Sequence, residues 1–390
     1  MEKRYHELDS LRGLAAISVF IGHIYLIFNS SLFSNLLFEF GPFRFLIAGS
    51  EAVTLFFVLS GFVLSLPFLA NNKKINYLDY VIKRICRIYI PYIAALLFSI
   101  VAWEIFYTKK VVSLSNWFNV NWSTKPDFQV IKQHLILIDT FSSNLNNVVW
   151  SLVHEMRISL IFPILLAILI KVSYKKGILL AIFLSLISVV YCTILNPTYY
   201  GTEIYVSIHC CSMFVIGALL AKYREVIFFR VSFINRKYKK VIFILGIIFY
   251  LYAHPSFLLN LIINDFNPFY RSVIDSWFTT IGAALLIILA ISSNSVSRVL
   301  NNKFINQIGK ISYSLYLSHL AVLLGCIHFL NKQLPIWLIV VIAIILTFLV
   351  SNIMYYTVEK PSIKLGKYIS KTLFRETKIG KSTHKKINIS

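Results

Sequence analysis

Runs of predominantly apolar residues, broken by short polar stretches, set the pattern of the chain. Ten of them approach the roughly 20 residues that a helix needs to cross a bilayer. They lie at about 13–33, 47–70, 88–107, 148–170, 177–195, 202–221, 241–263, 272–292, 311–330 and 336–358. The stretch from Ile336 to Val358 carries no charge, whereas 202–221 is the most interrupted, holding Glu203, His209, Cys210 and Cys211. The pattern predicts an all-α polytopic membrane helix bundle of about ten transmembrane helices. Lys3, Arg4 and Arg12 precede the first run as they would in a signal peptide. That run is too long for one, and no small-residue cleavage site follows. An uncleaved first helix is expected.

Composition supports the membrane reading. The chain is 58% hydrophobic and only 14% charged, where a soluble domain averages nearer a quarter charged. The net charge of +22 raises nucleic acid as a partner. However, Lys and Arg sit in short connections between apolar runs, with no basic domain interleaved with aromatics, so no nucleic-acid partner is expected. The five cysteines form no CxxC pair, which argues against a disulfide framework or a metal site.

Charge also orients the bundle, because cytoplasmic loops are enriched in Lys and Arg. With the N-terminus inside, the inner segments carry 30 of these residues and the outer loops 7; Arg157, within the fourth run, completes the 38. Both termini are therefore expected in the cytoplasm. Residues 1–361 form the membrane domain, and 108–147 its one long outer loop, a lid or a binding surface. Residues 362–390 are a basic cytoplasmic tail, expected as a solvated arm against anionic membrane lipids.

Ionisable residues within spans are costly and so mark function. Arg12 and His23 lie eleven residues apart, about 16 Å along a helix and within about 20° of one face. One would stand at the cytoplasmic mouth of a groove and the other near its centre. Arg suits phosphate and neutral His suits general-base work, although an anchoring arginine and a packed histidine would look the same. Arg84 and Arg87 share a helix face at the inner end of the third run, where they could hold a polyphosphate or merely anchor the helix. The fourth run holds the densest cluster: Trp150, Ser151, His154, Glu155 and Arg157. Counted from Val148, Glu155 is expected about 10 Å in from the outer surface. Ser60 and Gly61 could admit a close helix neighbour. Ser312, Tyr316 and His319 form one polar stripe on the ninth run, and Glu359 could partner the inner arginines.

In order, these segments resemble the acyltransferase-3 family of integral membrane O-acyltransferases. The matching blocks are Leu8-Asp9-Ser10-Leu11-Arg12-Gly13-Leu14-Ala15-Ala16 with His23, then Leu55-Phe56-Phe57-Val58-Leu59-Ser60-Gly61-Phe62, then Arg84-x-x-Arg87-Ile88-x-x-Pro91. Further on come Trp150-Ser151-Leu152-x-x-Glu155 with Pro163, Gly309 to Leu317 through Tyr313 and Tyr316, and Glu359-Lys360-Pro361. The sequence departs from the usual pattern at Met156-Arg157-Ile158-Ser159, at Ser318 and at Ala52.

The resemblance implies ten core helices in the cell inner (plasma) membrane and an acyl-CoA donor, acetyl-CoA first, used from the cytoplasm. The acceptor is a hydroxyl of an extracytoplasmic glycan or its lipid-linked precursor, and no metal takes part. It makes His23 the catalytic base and Arg12 and Glu155 essential. Arg84, Arg87 and Arg12 become donor contacts, while Ser60, Trp150, Ser151, Tyr313, Tyr316 and His319 line the substrate path. Some relatives continue into a soluble extracytoplasmic domain, so transfer here is expected to be completed by the membrane unit or a separate partner. Two rivals stand beside this reading: a glycan transporter, which would more often show related halves or broken helices, and an acyltransferase-like subunit without catalysis.

Overall fold

The structure, a computed structural model, describes residues 5–71, 76–141, 145–195, 201–260, 262 and 267–387. Lys3 and Arg4, part of the outer loop, the far end of the seventh run and the last residues of the tail lie outside them. Among the described residues no strand occurs. The long helices are α1 (His6–Ile27), α2 (Gly49–Asn71), α3 (Tyr77–Phe106), α4 (Val149–Lys171), α5 (Tyr174–Leu195), α6 (Ile204–Lys222), α7 (Arg236–Leu251), α8 (Pro268–Ser292), α9 (Lys303–Leu330), α10 (Ile336–Met354) and α11 (Lys360–Ile387).

Nine helices among the described residues are long and apolar enough to cross a membrane, and the seventh run makes a shorter element than expected. Its helix starts early, at Arg236, where Asn235 caps the Lys237 N–H. It stops at Leu251 after 16 residues, and the chain turns through His254-Pro255, where proline disfavours helix in the residue before it. Other helices outrun their apolar cores because polar caps extend them. Asn76 accepts from the Asp79 N–H at the start of α3, and Asn302 from the Phe304 N–H at the start of α9. Pro361 does not end the last span. A wide π turn over Tyr355–Glu359 precedes it, loosening the hydrogen-bond ladder that proline would break. The chain then continues as α11 down the side of α3, with Ser362, Gly366 and Ser370 buried. The proximal part of the tail is thus a packed helix rather than a solvated arm.

Two groups of helices make up the bundle. α1, α3 and α10 surround α9, while α2 and α5 flank α6 and α7 pairs with α8; α1 joins the groups through α2. The apolar stretches of α6 and α9 are each 78% buried, and those of α5 and α10 only 22%, so the polar stripe of α9 points into protein rather than lipid. Small residues allow the tightest crossings. A Cβ on Gly61 would strike the Phe214 carbonyl of α6, and one on Gly217 the Val58 carbonyl of α2.

The segment between α3 and α4 dips back into the bundle. Tyr92 and Tyr89 on α3 donate to the carbonyls of His134 and Leu135 at 2.7 and 2.8 Å. Asn146 donates to Leu317 O, midway along α9, and to Ser99 Oγ. Irregular backbone is tolerated at such depth only where protein satisfies it, and these side chains do so. The dip has a consequence for the site: α4 begins near the middle of α9 and not at the outer surface.

Candidate active site

The inner halves of α1 and α9 run in contact. A Cβ on Gly13 would lie 2.7 Å from the Gly309 nitrogen, and Ser10 donates to Leu300 O at 2.6 Å. Because the helices run side by side from this crossing, His23 and His319 arrive at the same height. His23 Nδ1 lies 2.8 Å from His319 Nε2, with ring planes only 18° apart. His319 is fully buried and its Nδ1 donates to Leu315 O at 2.9 Å; His23 is half-buried.

A lid covers the pair. Ser115 binds the last carbonyls of α1, its hydroxyl on Leu26 O at 2.5 Å and its N–H on Ile27 O at 2.9 Å. It also caps a short helix, Asn116–Val120, which lays Trp117 against His23 with ring centroids 5.2 Å apart. The lid is rigid in construction. Trp122 is fully buried, donates to Leu145 O and accepts from Trp103 Nε1. Its φ of 63° is a left-handed value that a bulky side chain takes only when its surroundings hold it there.

Further in lies the arginine cluster. Arg84 Nη2 donates to Glu155 Oε1 at 3.0 Å and to Ser159 Oγ at 2.7 Å, and Ser60 Oγ sits 3.5 Å from the same carboxylate oxygen. Arg84 Nε is buried with no protein partner, so this guanidinium keeps an unused donor. Arg12 lies within electrostatic reach of Arg84, Arg87, Glu155 and Asp9, and Arg87 of Glu359. Glu359 itself accepts from Ser314 Oγ at 2.6 Å. Glu155 therefore sits with the inner arginines, whereas the sequence suggested the outer side. The re-entrant segment explains the shift, since counting from the start of α4 begins deeper than the membrane surface.

Between the two clusters run the hydroxyls of α9 and α4. Tyr316 and Ser151 are 2.7 Å apart and buried, and Phe56 packs edge-on against Tyr316. Tyr313 donates to Ile88 O at 3.0 Å. Trp150 packs against the core and meets the His154 ring at a steep angle. Arg12, Arg84, Glu155, Ser60, Ser151, Tyr316, His319 and His23 thus form a chain of polar groups contributed by α1, α2, α3, α4 and α9. Among the described residues no group of His, Cys, Asp or Glu is arranged to hold a metal ion.

Two residues read differently from their sequence context. Arg157 donates to the carbonyls of Ile138, Asp139 and Thr202 and to Ser207 Oγ, at 2.6 to 2.9 Å. It is a clasp between the re-entrant segment and α6. Ser159, which looked like a departure from the family pattern, supplies a hydroxyl to Arg84. Its position four residues after Glu155, on one helix face, was the available signal.

Comparison with known proteins fits this arrangement. The Acyl_transf_3 family, described as an acyltransferase domain, matches residues 5–356. The O-acetyltransferase OatA of Staphylococcus aureus is 24% identical over 388 residues, covering 92% of this chain and 57% of that protein. The peptidoglycan O-acetyltransferase OatA of Listeria monocytogenes is 25% identical over 385 residues, covering 92% and 56%. The chain therefore spans little more than half the length of these curated relatives. No solved structure matches it. A family match over nearly the whole chain, carried by a membrane bundle with the expected polar residues gathered at its centre, means that this protein belongs to the acyltransferase-3 family.

Proposed function

We propose that this protein is a membrane O-acetyltransferase that moves an acetyl group from acetyl-CoA, bound from the cytoplasm, to a hydroxyl of an extracytoplasmic cell-wall glycan. One observation carries the reading: Arg12, Arg84 and Arg87 gather near the inner end of α1, and a histidine pair stands about 16 Å along the same helix. Guanidinium groups suit the donor's phosphates, and three of them are gathered here within electrostatic reach of one another. An extended thioester arm would then reach toward His23.

At His23 the acceptor hydroxyl gives its proton to the imidazole as its oxygen attacks the thioester carbonyl. The carbon–sulfur bond breaks, an oxygen ester forms, and the departing thiolate takes the proton from the imidazolium as a thiol. Glu155 and Ser159 orient Arg84, while Ser60, Ser151, Tyr313 and Tyr316 line the path. In this reading the protein sits in the plasma membrane with both termini in the cytoplasm, the side that the Lys and Arg excess of the loops favours. The relatives named for O-acetylation of peptidoglycan support this acceptor class.

The test uses purified protein in lipid, acetyl-CoA labelled in the acetyl group, and soluble glycan fragments. Wild type should release CoA and label the glycan, and His23→Ala should lose at least about 10²-fold of that rate. A transporter would leave the thioester intact. Undiminished thioester cleavage in His23→Ala would overturn the reading.

A further inference from the structure

We infer that His319 is a positioning residue that fixes the tautomer of His23, so that Nε2 of His23 is the nitrogen that takes the proton. This rests on the proposed role of His23 as base. The argument follows one line of hydrogen bonds. A carbonyl oxygen can only accept, so the 2.9 Å contact from His319 Nδ1 to Leu315 O places a hydrogen on that Nδ1. A neutral imidazole carries one N–H, and a charged one is disfavoured at this depth in a bilayer. His319 Nε2 is therefore a bare acceptor. His23 Nδ1 faces it at 2.8 Å and must supply the hydrogen. That leaves the lone pair of neutral His23 on Nε2.

The arrangement has a second effect. When Nε2 takes a proton from the acceptor, the imidazolium keeps its Nδ1–H directed at His319 Nε2, and the new positive charge strengthens that bond. The Leu315 carbonyl, drawing on the far side of the His319 ring, supports it in turn. The task resembles the one a carboxylate performs in hydrolytic triads, here done by a neutral group. Neutrality suits the setting, because a carboxylate beside His23 would place a second charge in the bundle interior. The fold builds the pair by parallel helices: Ile308 and Gly309 on α9 sit against Gly13 on α1, and equal lengths of helix lead from the crossing to each ring.

The experiment reads the tautomer directly, by ¹⁵N NMR of histidine-labelled protein in lipid nanodiscs, with acetyl transfer measured on the same samples. Wild-type His23 should show hydrogen on Nδ1 and none on Nε2. In His319→Leu the hydrogen should move to Nε2 and the rate should fall about 10²–10³-fold. In His319→Gln the side-chain oxygen can replace Nε2 as acceptor, so the Nδ1–H form should persist and the rate should stay within about tenfold of wild type. Hydrogen on Nε2 of His23 in the wild type would overturn the inference. So would a His319→Leu protein that keeps the wild-type tautomer and rate, or a His319→Gln protein that keeps the tautomer yet is as slow as His319→Leu. If His23→Ala remains active while the tautomer depends on His319 as described, the hydrogen-bond device stands and the base assignment fails.

Discussion

Gly13 and Gly309 meet backbone to backbone, and the residues ten further along each helix, His23 and His319, are hydrogen-bonded at 2.8 Å. The crossing and the chemistry are thus one construction. An added methyl on Gly13 would lie 2.7 Å from the Gly309 nitrogen and 2.9 Å from its Cα, both backbone atoms that cannot turn aside. Gly13→Ala should cost about 1–3 kcal/mol of stability and lengthen the His23–His319 contact. Acetyl transfer should then fall more than CoA binding, since two of the three donor arginines, Arg84 and Arg87, lie on α3 and only Arg12 stands beside the crossing. Thermal melting in detergent and CoA titration check this. A fully active Gly13→Ala protein would show that the helices can part without disturbing the pair.

Arg84 and Glu155 form the inner counterpart, at 3.0 Å with side chains 9% and 24% exposed. Removing one partner of a mostly buried pair leaves the other charge uncompensated, at about 3–5 kcal/mol in fully buried cases and less here. Arg84→Ala should therefore both weaken CoA binding and lower the melting temperature. Arg84→Lys should recover part of the stability but little of the binding, because lysine keeps the charge and loses the planar fork. Calorimetric CoA titration of the two variants separates these effects. Normal binding in both would make Arg84 a topological anchor.

Much of this was legible in the sequence because membrane burial leaves strong marks. Spans appear as apolar runs, and Arg12, His23, Glu155 and the α9 stripe stand out as polar residues within them. Depth was harder to read. Nothing local tells that the stretch before α4 folds back to meet Tyr89, Tyr92 and Leu317, so Glu155 looked closer to the outer side than it is. Partnership across the chain was equally hidden. The His23–His319 bond joins positions 296 apart, and only the glycine crossing sets their heights equal. The shortened seventh helix carried a visible signal in His254-Pro255, but its partners lie on other helices.

Arg157 should matter to the re-entrant segment and not to the chemistry. Its guanidinium gathers three carbonyls and a hydroxyl from the re-entrant segment and the start of α6. Losing one such charge-assisted bond costs about 1.5–3 kcal/mol. The group is half-buried, so the lower end is expected for the whole set. Arg157→Ala should open the segment between Phe128 and Phe141 to protease added from outside, while CoA binding stays near wild type. An unchanged digestion pattern would show that Tyr89, Tyr92 and Asn146 hold the segment without it.

The N-terminal parts of α2 and α8 are tied by a second polar cluster, and its pH response can be predicted. His254 Nε2 lies 3.0 Å from Glu51 Oε1, which also accepts from Arg44 at 2.5 Å, and His254 Nδ1 lies 3.5 Å from Asp275. With His254 charged, two cations face two carboxylates. Burial alone would push the imidazole down, but the bonds to Asp275 and Glu51 and the charge of Glu51 prevail over it and over Arg44. They lift His254 to about 9. A group raised in the folded state stabilises fully below its unfolded pKa, about 6.5, and loses that contribution as pH rises through the folded value. The melting temperature should therefore decline between about pH 6.5 and 9, most steeply midway between the two values, and level off above the folded one. His254→Gln, which cannot titrate, should start lower and stay flat over the same range. Parallel declines in both proteins would mean that alkaline sensitivity arises elsewhere and that the cluster does not depend on a charged His254.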